Sequence, residues 1–423
     1  LVYGMGERQV IEIADRLKKG RGLKDIRGTA IIARSIEDAI REDADFIEIP
    51  SYEDVRADKE KFNDAFTLIY RNQDPFKGKT IIQKHGERYL VQYPPQLPLS
   101  EREMDEIFGL PYARNPHPSY EASGGIPGFE TVKFSIISHR GCCGECSFCG
   151  LYMHQGRIIQ SRSKLSILKE AKLISERKDF KGTITDVGGP TANLYGAKCA
   201  KWDKKGACVH RKCLIPKKCD NLILGLSESI DLYSEILKIP KVKHVFIESG
   251  IRYDLISEKD TEDYLMAICK NHISGQMKVA PEHCINRVLK FMNKPPIECY
   301  EKFAERFKKI NSVLKKDQYL VHYFITAHPG STLEDAYVMS TYLKKRNIYP
   351  EQIQDFIPIP MTAANCMYYT ESDPFTGEKM YVAKTFKERK MHRALIQYKN
   401  PKNRHLIEEA EKILREISVR KNP

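Results

Sequence analysis

The chain reads as an α/β protein whose main body is a parallel sheet, open or curled into a barrel, with a smaller α/β unit before it and an extension after it. Two observations predict that body. From Thr131 to Pro360, short β-branched runs alternate with longer segments whose apolar residues recur every three or four positions. The chain is also long, 423 residues at 41% apolar content, which supports a large core and two or three units.

The strands of the body follow in order. They are VKFSIIS (132–138), GTITDVGG (182–189), HVFIESG (244–250), QMKVAP (276–281), YLVHYFITA (319–327) and QIQDFIPIP (352–360). Amphipathic spacing predicts helices over 163–178, 227–239, 261–271, 299–314 and 332–347. Strand and helix alternating in this way give parallel neighbours joined by crossovers. In barrels of such units the reacting residues stand at the C-terminal ends of the strands, so the residues just after each run are the ones to inspect.

Before the body, residues 1–127 form an expected remnant of an α/β domain. LVYGMGERQVIEIADRL reads as the end of a strand, a turn at Gly4 and Gly6, and an amphipathic helix. TAIIAR, DFIEIP and the pair within KTIIQKHGERYLVQYPPQLPLS read as further strands. Because no earlier strand completes that sheet, the expectation is a parallel domain truncated at its start. A Pro-rich linker spans about Leu97 to Pro127. The core then covers 128–361, with a Cys-rich insertion at 195–222, and the C-terminal extension covers 362–423.

The run SHRGCCGECSFCG carries the chemistry. Cys142, Cys146 and Cys149 are spaced C-x3-C-x2-C, three soft thiolates on one tight loop just after the first strand. A cube of four irons and four sulfides takes four thiolates, so three leave one iron open. An open metal position is where a ligand can be activated. A structural zinc or a redox dithiol is the alternative reading, although zinc sites usually present two C-x2-4-C pairs. Cys143 lies inside the first spacing and reads as loop filling.

Several phrases together resemble one known family. LVYGMGERQ, SHRGCCGECSFCGLYMHQGR, DVGGPTANLYG, HVFIESGIRYD, QMKVAPEH, YFITAHPGSTLEDA, PIPMTAANCMYYT and HRALIQYKNPKN look like the YgiQ-type radical S-adenosylmethionine (radical SAM) proteins over nearly the whole chain. The resemblance implies a partial (β/α)6 TIM-like barrel of the radical SAM type. It also implies a [4Fe-4S] cluster on Cys142, Cys146 and Cys149, whose open iron takes SAM. Reductive cleavage would then give a 5′-deoxyadenosyl radical that acts on an unidentified substrate. Gly188 and Gly189 match the family's Gly-Gly stretch, with Pro190 where the family has an acid, so a backbone role transfers and a side-chain role does not. Ser249, Arg252 and Glu282 fall where family members contact the ribose and carboxylate of SAM. His328-Pro329-Gly330 matches a Pro-Gly turn, with Ser331 or Thr332 as the expected N-cap.

A second group, Cys199, Cys208, Cys213 and Cys219, lies in the basic insertion. Four thiolates within 21 residues point to a second metal centre, iron-sulfur or zinc, tying a long loop. Among them Lys198, Lys201, Lys204, Arg211 and Lys217 are placed to meet an acidic substrate, with Trp202 available to stack. Cys269, Cys284, Cys299 and Cys366 read as small core residues.

The net charge of +13 favours acidic partners, nucleic acid among them, although much of it lies on mixed Lys/Glu helix faces. An electron donor is a further expected partner. No run of about eighteen apolar residues and no leader occurs, so a cytoplasmic protein without membrane contact is expected. Twelve cysteines in such a chain suit metal ligation in a reducing compartment. Two other functions fit part of this pattern: a two-centre iron-sulfur electron-transfer protein, and a zinc-stabilised RNA-binding module.

Overall fold

The computed structural model describes residues 1–40, 44–256, 261–350 and 353–421. Its body contains the expected alternation. Ser135–Ile137 pairs in parallel with Asp186–Gly188, and Thr183–Ile184 with His244–Val245. Single backbone bonds from Ile247 to His272 and from Ile251 to Lys278 carry the third strand toward the fourth. Gln276–Glu282, Tyr319–Thr326 and Gln354–Asp355 then pair in parallel. Six strands therefore stand in chain order. No pairing among the described residues joins the sixth to the first, so the sheet stays open along one seam.

Strand lengths are shorter than the apolar runs. The first run begins as a helical turn, Phe129–Val132, and becomes a strand only at Ser135. The sixth is extended over two residues, and Gln352 of its predicted run lies outside the described residues. The helices match closely: Lys164–Ser175, Leu226–Leu237, Glu262–Asn271, Ile297–Leu314 and Leu333–Lys345. Their apolar stripes cover the sheet and bury Ile167, Leu232, Ile236, Ile268, Phe303 and Leu343 with Val187, Val245 and Met277 from the strands. Thr332 caps the last of these helices in a reciprocal box with Asp335.

The N-terminal unit departs from the parallel domain expected of it. Its four strands run in the order Ala30–Ala33, Arg88–Gln92, Thr80–His85, Phe46–Ile49, and only the last pair is parallel. Thr80–His85 and Arg88–Gln92 form a hairpin turning at Gly86-Glu87, a local signal that outweighs the crossover pattern. Val2 bridges Thr29 in antiparallel fashion, so the opening residues do pair with this sheet. The Pro-rich linker is not structureless either. It holds a helix, Glu101–Phe108, closed by a Ser100/Glu103 capping box, and a 3-10 turn at Pro118–Ser123.

The C-terminal extension folds back over both units. Ala363–Thr370 packs on Lys59–Arg71 of the N-terminal unit, and Phe386–Ile396 packs on Leu333–Lys345 of the body. No helix among the described residues is long and apolar enough to cross a membrane.

Candidate active site

The cysteine loop is built from its base. After the first strand, His139–Arg140 pairs antiparallel with Gln160–Ser161, which closes residues 141–159 into one loop. Gly141 takes φ +86, and a Cβ there would lie 2.2 Å from the Ile158 carbonyl, so only glycine lets the two arms approach. Cys142 N donates to Gly156 O at 3.1 Å and Cys149 N to Cys146 O at 3.0 Å, tightening both ends of the C-x3-C-x2-C stretch. All three thiols are free and half-buried. Burial pushes the Cys149 thiol up to about 12, with the Cys146 charge adding to it, and burial raises Cys142 against the pull of Arg252.

Charged and polar groups surround this loop. Arg252 Nη1 stands 3.7 Å from Cys146 Sγ, while its other nitrogens bond Asp254, the closest at 2.7 Å. Both members of that pair are buried. The backbone of Arg252 is bracketed by Asn193, whose Oδ1 accepts from Arg252 N and whose Nδ2 donates to Arg252 O, each at 2.9 Å. Gly144 fits under the guanidinium, since a Cβ there would be 2.3 Å from Arg252 Nη1. Glu282 follows a register shift in the fourth strand and holds φ +66, a strained setting, and its buried carboxyl lies within the field of Lys294 and Arg252. Burial raises its carboxyl, and those two cations oppose the rise.

The neighbouring rim carries the glycine pair. A Cβ on Gly188 would meet Ser249 Oγ at 2.0 Å, and one on Gly189 would lie 2.7 Å from the His139 ring. Gly188 O accepts from Ser138 N at 2.7 Å and Ser138 Oγ at 3.0 Å. The pair is thus required by close packing of the chain on itself, and the Gly188 carbonyl is already engaged. Asp186 Oδ1 accepts from Glu248 N at 2.7 Å and Ser249 N at 3.0 Å, fixing the end of the third strand. Ser249 Oγ is buried without a hydrogen-bond partner of good geometry, although the Asp186 carboxylate stands beside it.

Together with His328, residues that sequence reasoning passed over hold the loop in place. Glu145, buried at φ +47, accepts from Tyr70 OH of the N-terminal unit at 2.7 Å and from Arg157 at 3.1 Å. Asn293 Nδ2 donates to Glu145 O at 2.7 Å. Ser147 N bonds Met292 O, Ser147 O accepts from Ala364 N, and Ser147 Oγ meets His328 Nε2 at 3.3 Å. Burial brings His328 down to about 4, which keeps the imidazole neutral. Glu145 and Asn293 both hold left-handed backbone in this network, and no sequence pattern announces it.

The second cysteine group behaves differently. Cys199, Cys213 and Cys219 pack with buried Cys143, Trp202, Leu214 and Leu222 in a small core beneath the insertion, which Cys208 does not join. Cys143 and Cys213 share this small core, and their interaction raises the Cys143 thiol and lowers that of Cys213, so Cys143 links loop and insertion beyond simple filling. Four thiolates around one zinc would stand about 3.8 Å apart. No three His, Cys, Asp or Glu side chains among the described residues converge enough to hold a single ion. Trp202 is 4% exposed and cannot stack on a substrate; its ring is an anchor of the insertion. Cys269 and Cys284 lie in the main core, and Cys366 is likewise buried.

The donor set suits the cofactors that the motif implies. Three thiolates sit on one short loop, with a guanidinium beside one of them, and a buried hydroxyl and a buried carboxyl lie at the ends of adjacent strands. A profile described as the Radical SAM superfamily matches residues 136–341, one described as Radical SAM N-terminal matches 1–135, and a domain of unknown function (DUF3362) matches 351–416. A UPF0313 protein of Clostridium botulinum (strain 657 / Type Ba4) is 48% identical over 413 residues, covering 97% of this chain and 64% of the relative. The UPF0313 protein of Methanocella arvoryzae (strain DSM 22066 / NBRC 105507 / MRE50) is 49% identical, covering 97% and 68%. The chain spans about two thirds of the length of these curated relatives. Among solved structures, the radical S-adenosylmethionine methyltransferase TsrM from Kitasatospora setae, with cobalamin and a [4Fe-4S] cluster bound, is similar at 13% identity and a TM-score of 0.44, over 87% of this chain and 54% of that one. The chain therefore belongs to the UPF0313, or YgiQ-type, family of radical SAM proteins, whose cofactors are a [4Fe-4S] cluster and S-adenosylmethionine.

Proposed function

We propose that the chain is the catalytic part of a radical SAM enzyme, with Cys142, Cys146 and Cys149 as the three cluster ligands. The observation that carries this reading is the three-thiolate loop, closed at the C-terminal end of the first strand and faced by Arg252 at 3.7 Å from Cys146 Sγ. When bound, the cluster supplies the electron that cleaves SAM to methionine and a 5′-deoxyadenosyl radical.

The chain's own residues prepare the site. Arg252 places a fixed positive charge beside a thiolate and, tied to Asp254, cannot follow solvent. Ser249, packed against Gly188 and Asp186, fixes the end of the third strand, and Glu282 brings a buried carboxyl to the end of the fourth. Gly188 and Gly189 let Ser249 and His139 pack directly against the end of the second strand.

Anaerobic reconstitution with iron and sulfide, followed by reduction with SAM, should release 5′-deoxyadenosine, and Cys146→Ala should abolish it. A reconstituted chain that forms no 5′-deoxyadenosine and whose cluster spectrum ignores SAM would overturn the reading.

A further inference from the structure

Three lysine or arginine side chains are buried among the described residues: Arg162, Arg252 and Lys294. Arg162 is paired with Glu170, and Arg252 with Asp254. Lys294 differs. Among the described residues its ammonium has no carboxylate in contact and no hydrogen-bond acceptor, and stands only over the Tyr253 ring, 5.7 Å from the centroid. Burying an ammonium without a counter-ion is costly, and a ring face offsets only part of that cost.

The lysine is held beside the cluster loop. It follows Met292, whose carbonyl accepts from Ser147 N at 3.0 Å, and Asn293, whose Nδ2 reaches Glu145 O at 2.7 Å and Gly144 O at 3.2 Å. Asn293 takes φ +55 and Lys294 N returns to Leu289 O at 2.9 Å, so the turn that carries the lysine is fixed. Glu282 lies near enough to feel the Lys294 charge, yet the two form no ion pair. Both keep slight exposure, 7% for Lys294 and 8% for Glu282, so neither is sealed off. The Glu282 charge also acts on Cys149, which puts this pair on the thiolate side of the strand ends.

Two buried, opposite charges held apart suit a ligand end that carries both signs. A bare anion beside Lys294 would also meet the Glu282 carboxyl, which disfavours it. The amino-acid end of S-adenosylmethionine carries an amine and a carboxylate together. Arg252 is not free to serve it, because its Nε and Nη2 bond Asp254 and its Nη1 faces Cys146 Sγ at 3.7 Å. We infer that Lys294 is the residue that binds the carboxylate of S-adenosylmethionine, while Arg252 serves the thiolate loop. The inference rests on the radical SAM reading and deepens it by naming a residue that the sequence motifs do not mark.

The test uses the full chain with its cluster reconstituted anaerobically and left unreduced, so that binding is read without cleavage. Equilibrium dialysis compares S-adenosylmethionine with its decarboxylated form, which keeps the adenosine, sulfonium and amine and lacks the carboxylate. Lys294→Met should weaken S-adenosylmethionine by roughly tenfold or more, the loss of one charge-assisted hydrogen bond, and leave the decarboxylated form within about threefold of the parent. Lys294→Arg, which keeps the charge, should bind S-adenosylmethionine more tightly than Lys294→Met does. Lys294→Gln serves the same comparison if iron content shows that the methionine variant has lost its cluster. Equal affinity of parent and variant for S-adenosylmethionine, or an equal loss for both compounds, overturns the inference alone. A parent whose cluster binds neither compound overturns the radical SAM reading, and the inference with it.

Discussion

Gly144→Ala isolates the contact between the cysteine loop and Arg252. Gly144 does not hold a positive φ, so alanine meets no backbone penalty and the whole effect is steric. The new Cβ would sit 2.3 Å from Arg252 Nη1, whereas ordinary contact begins near 3.4 Å. The guanidinium must retreat by about 1 Å. Retreat is not free, because Asn193 holds the Arg252 backbone from both sides and Asp254 holds the side chain at 2.7 Å. Stretching that buried, charge-assisted bond costs about 1.5–3 kcal/mol, and crowding of the loop adds about 1 kcal/mol. A loss of about 2–4 kcal/mol in urea unfolding is therefore expected, together with reduced iron retention after reconstitution. Gly144→Ala combined with Arg252→Ala should cost clearly less than the sum of the single changes, with coupling of about 1–3 kcal/mol. A stability change within 0.5 kcal/mol of zero, or strict additivity, would refute the contact.

Three further outcomes follow from the same geometry. Asn193→Ala should cost about 2–4 kcal/mol in urea unfolding, since it strands the Arg252 N–H and C=O, both buried. Tyr70→Phe removes one hydrogen bond to buried Glu145 and should cost about 1–2 kcal/mol, visible as faster limited proteolysis of the N-terminal unit. His392 is buried with neither ring nitrogen bonded, and burial takes it down to about 4. The unfolded chain therefore binds this proton more readily than the folded one. The stability of the neutral imidazole is present above pH 6.5 and lost as pH falls toward 4. His392→Leu should be more stable than the parent, and the margin should widen by roughly 3 kcal/mol between pH 7 and pH 4 in thermal unfolding. A margin that does not change with pH would refute the burial argument.

The body was legible because its signals are periodic. Helices such as 163–178 and 332–347 announced themselves by three-to-four spacing and landed within a few residues of the observed ends. Strands were found but overdrawn, because an apolar run marks burial while pairing needs a neighbour at the right height; the 132–138 run paired over only three residues. The N-terminal sheet differs from the expected parallel domain because its strand pair turns at KHGER as a hairpin, which makes the pairing antiparallel. At the site, the cysteines, Arg252 and the glycines were visible as motif letters. Composition suggests a surface role for Trp202, whereas the insertion uses it as a buried apolar anchor. Glu145, Asn193, Asn293 and Tyr70 stayed hidden because they act through single long-range hydrogen bonds, which leave no period.

Those hidden residues change what the three units mean. The cysteine loop has no regular structure of its own, so its geometry must be imposed from outside. The N-terminal unit supplies Tyr70 to Glu145, the body supplies Asn293, Arg252 and His328, and the C-terminal extension supplies Ala364 N to Ser147 O at 2.9 Å. Each unit thus contributes a bond to the same few residues between the first and third thiolates. A cluster loop fixed from three sides needs little reorganisation when metal binds, because its anchoring hydrogen bonds exist beforehand. It also follows that cutting the chain at either boundary would loosen the loop even though every cysteine remained. The flanking units are in this sense parts of the cluster site.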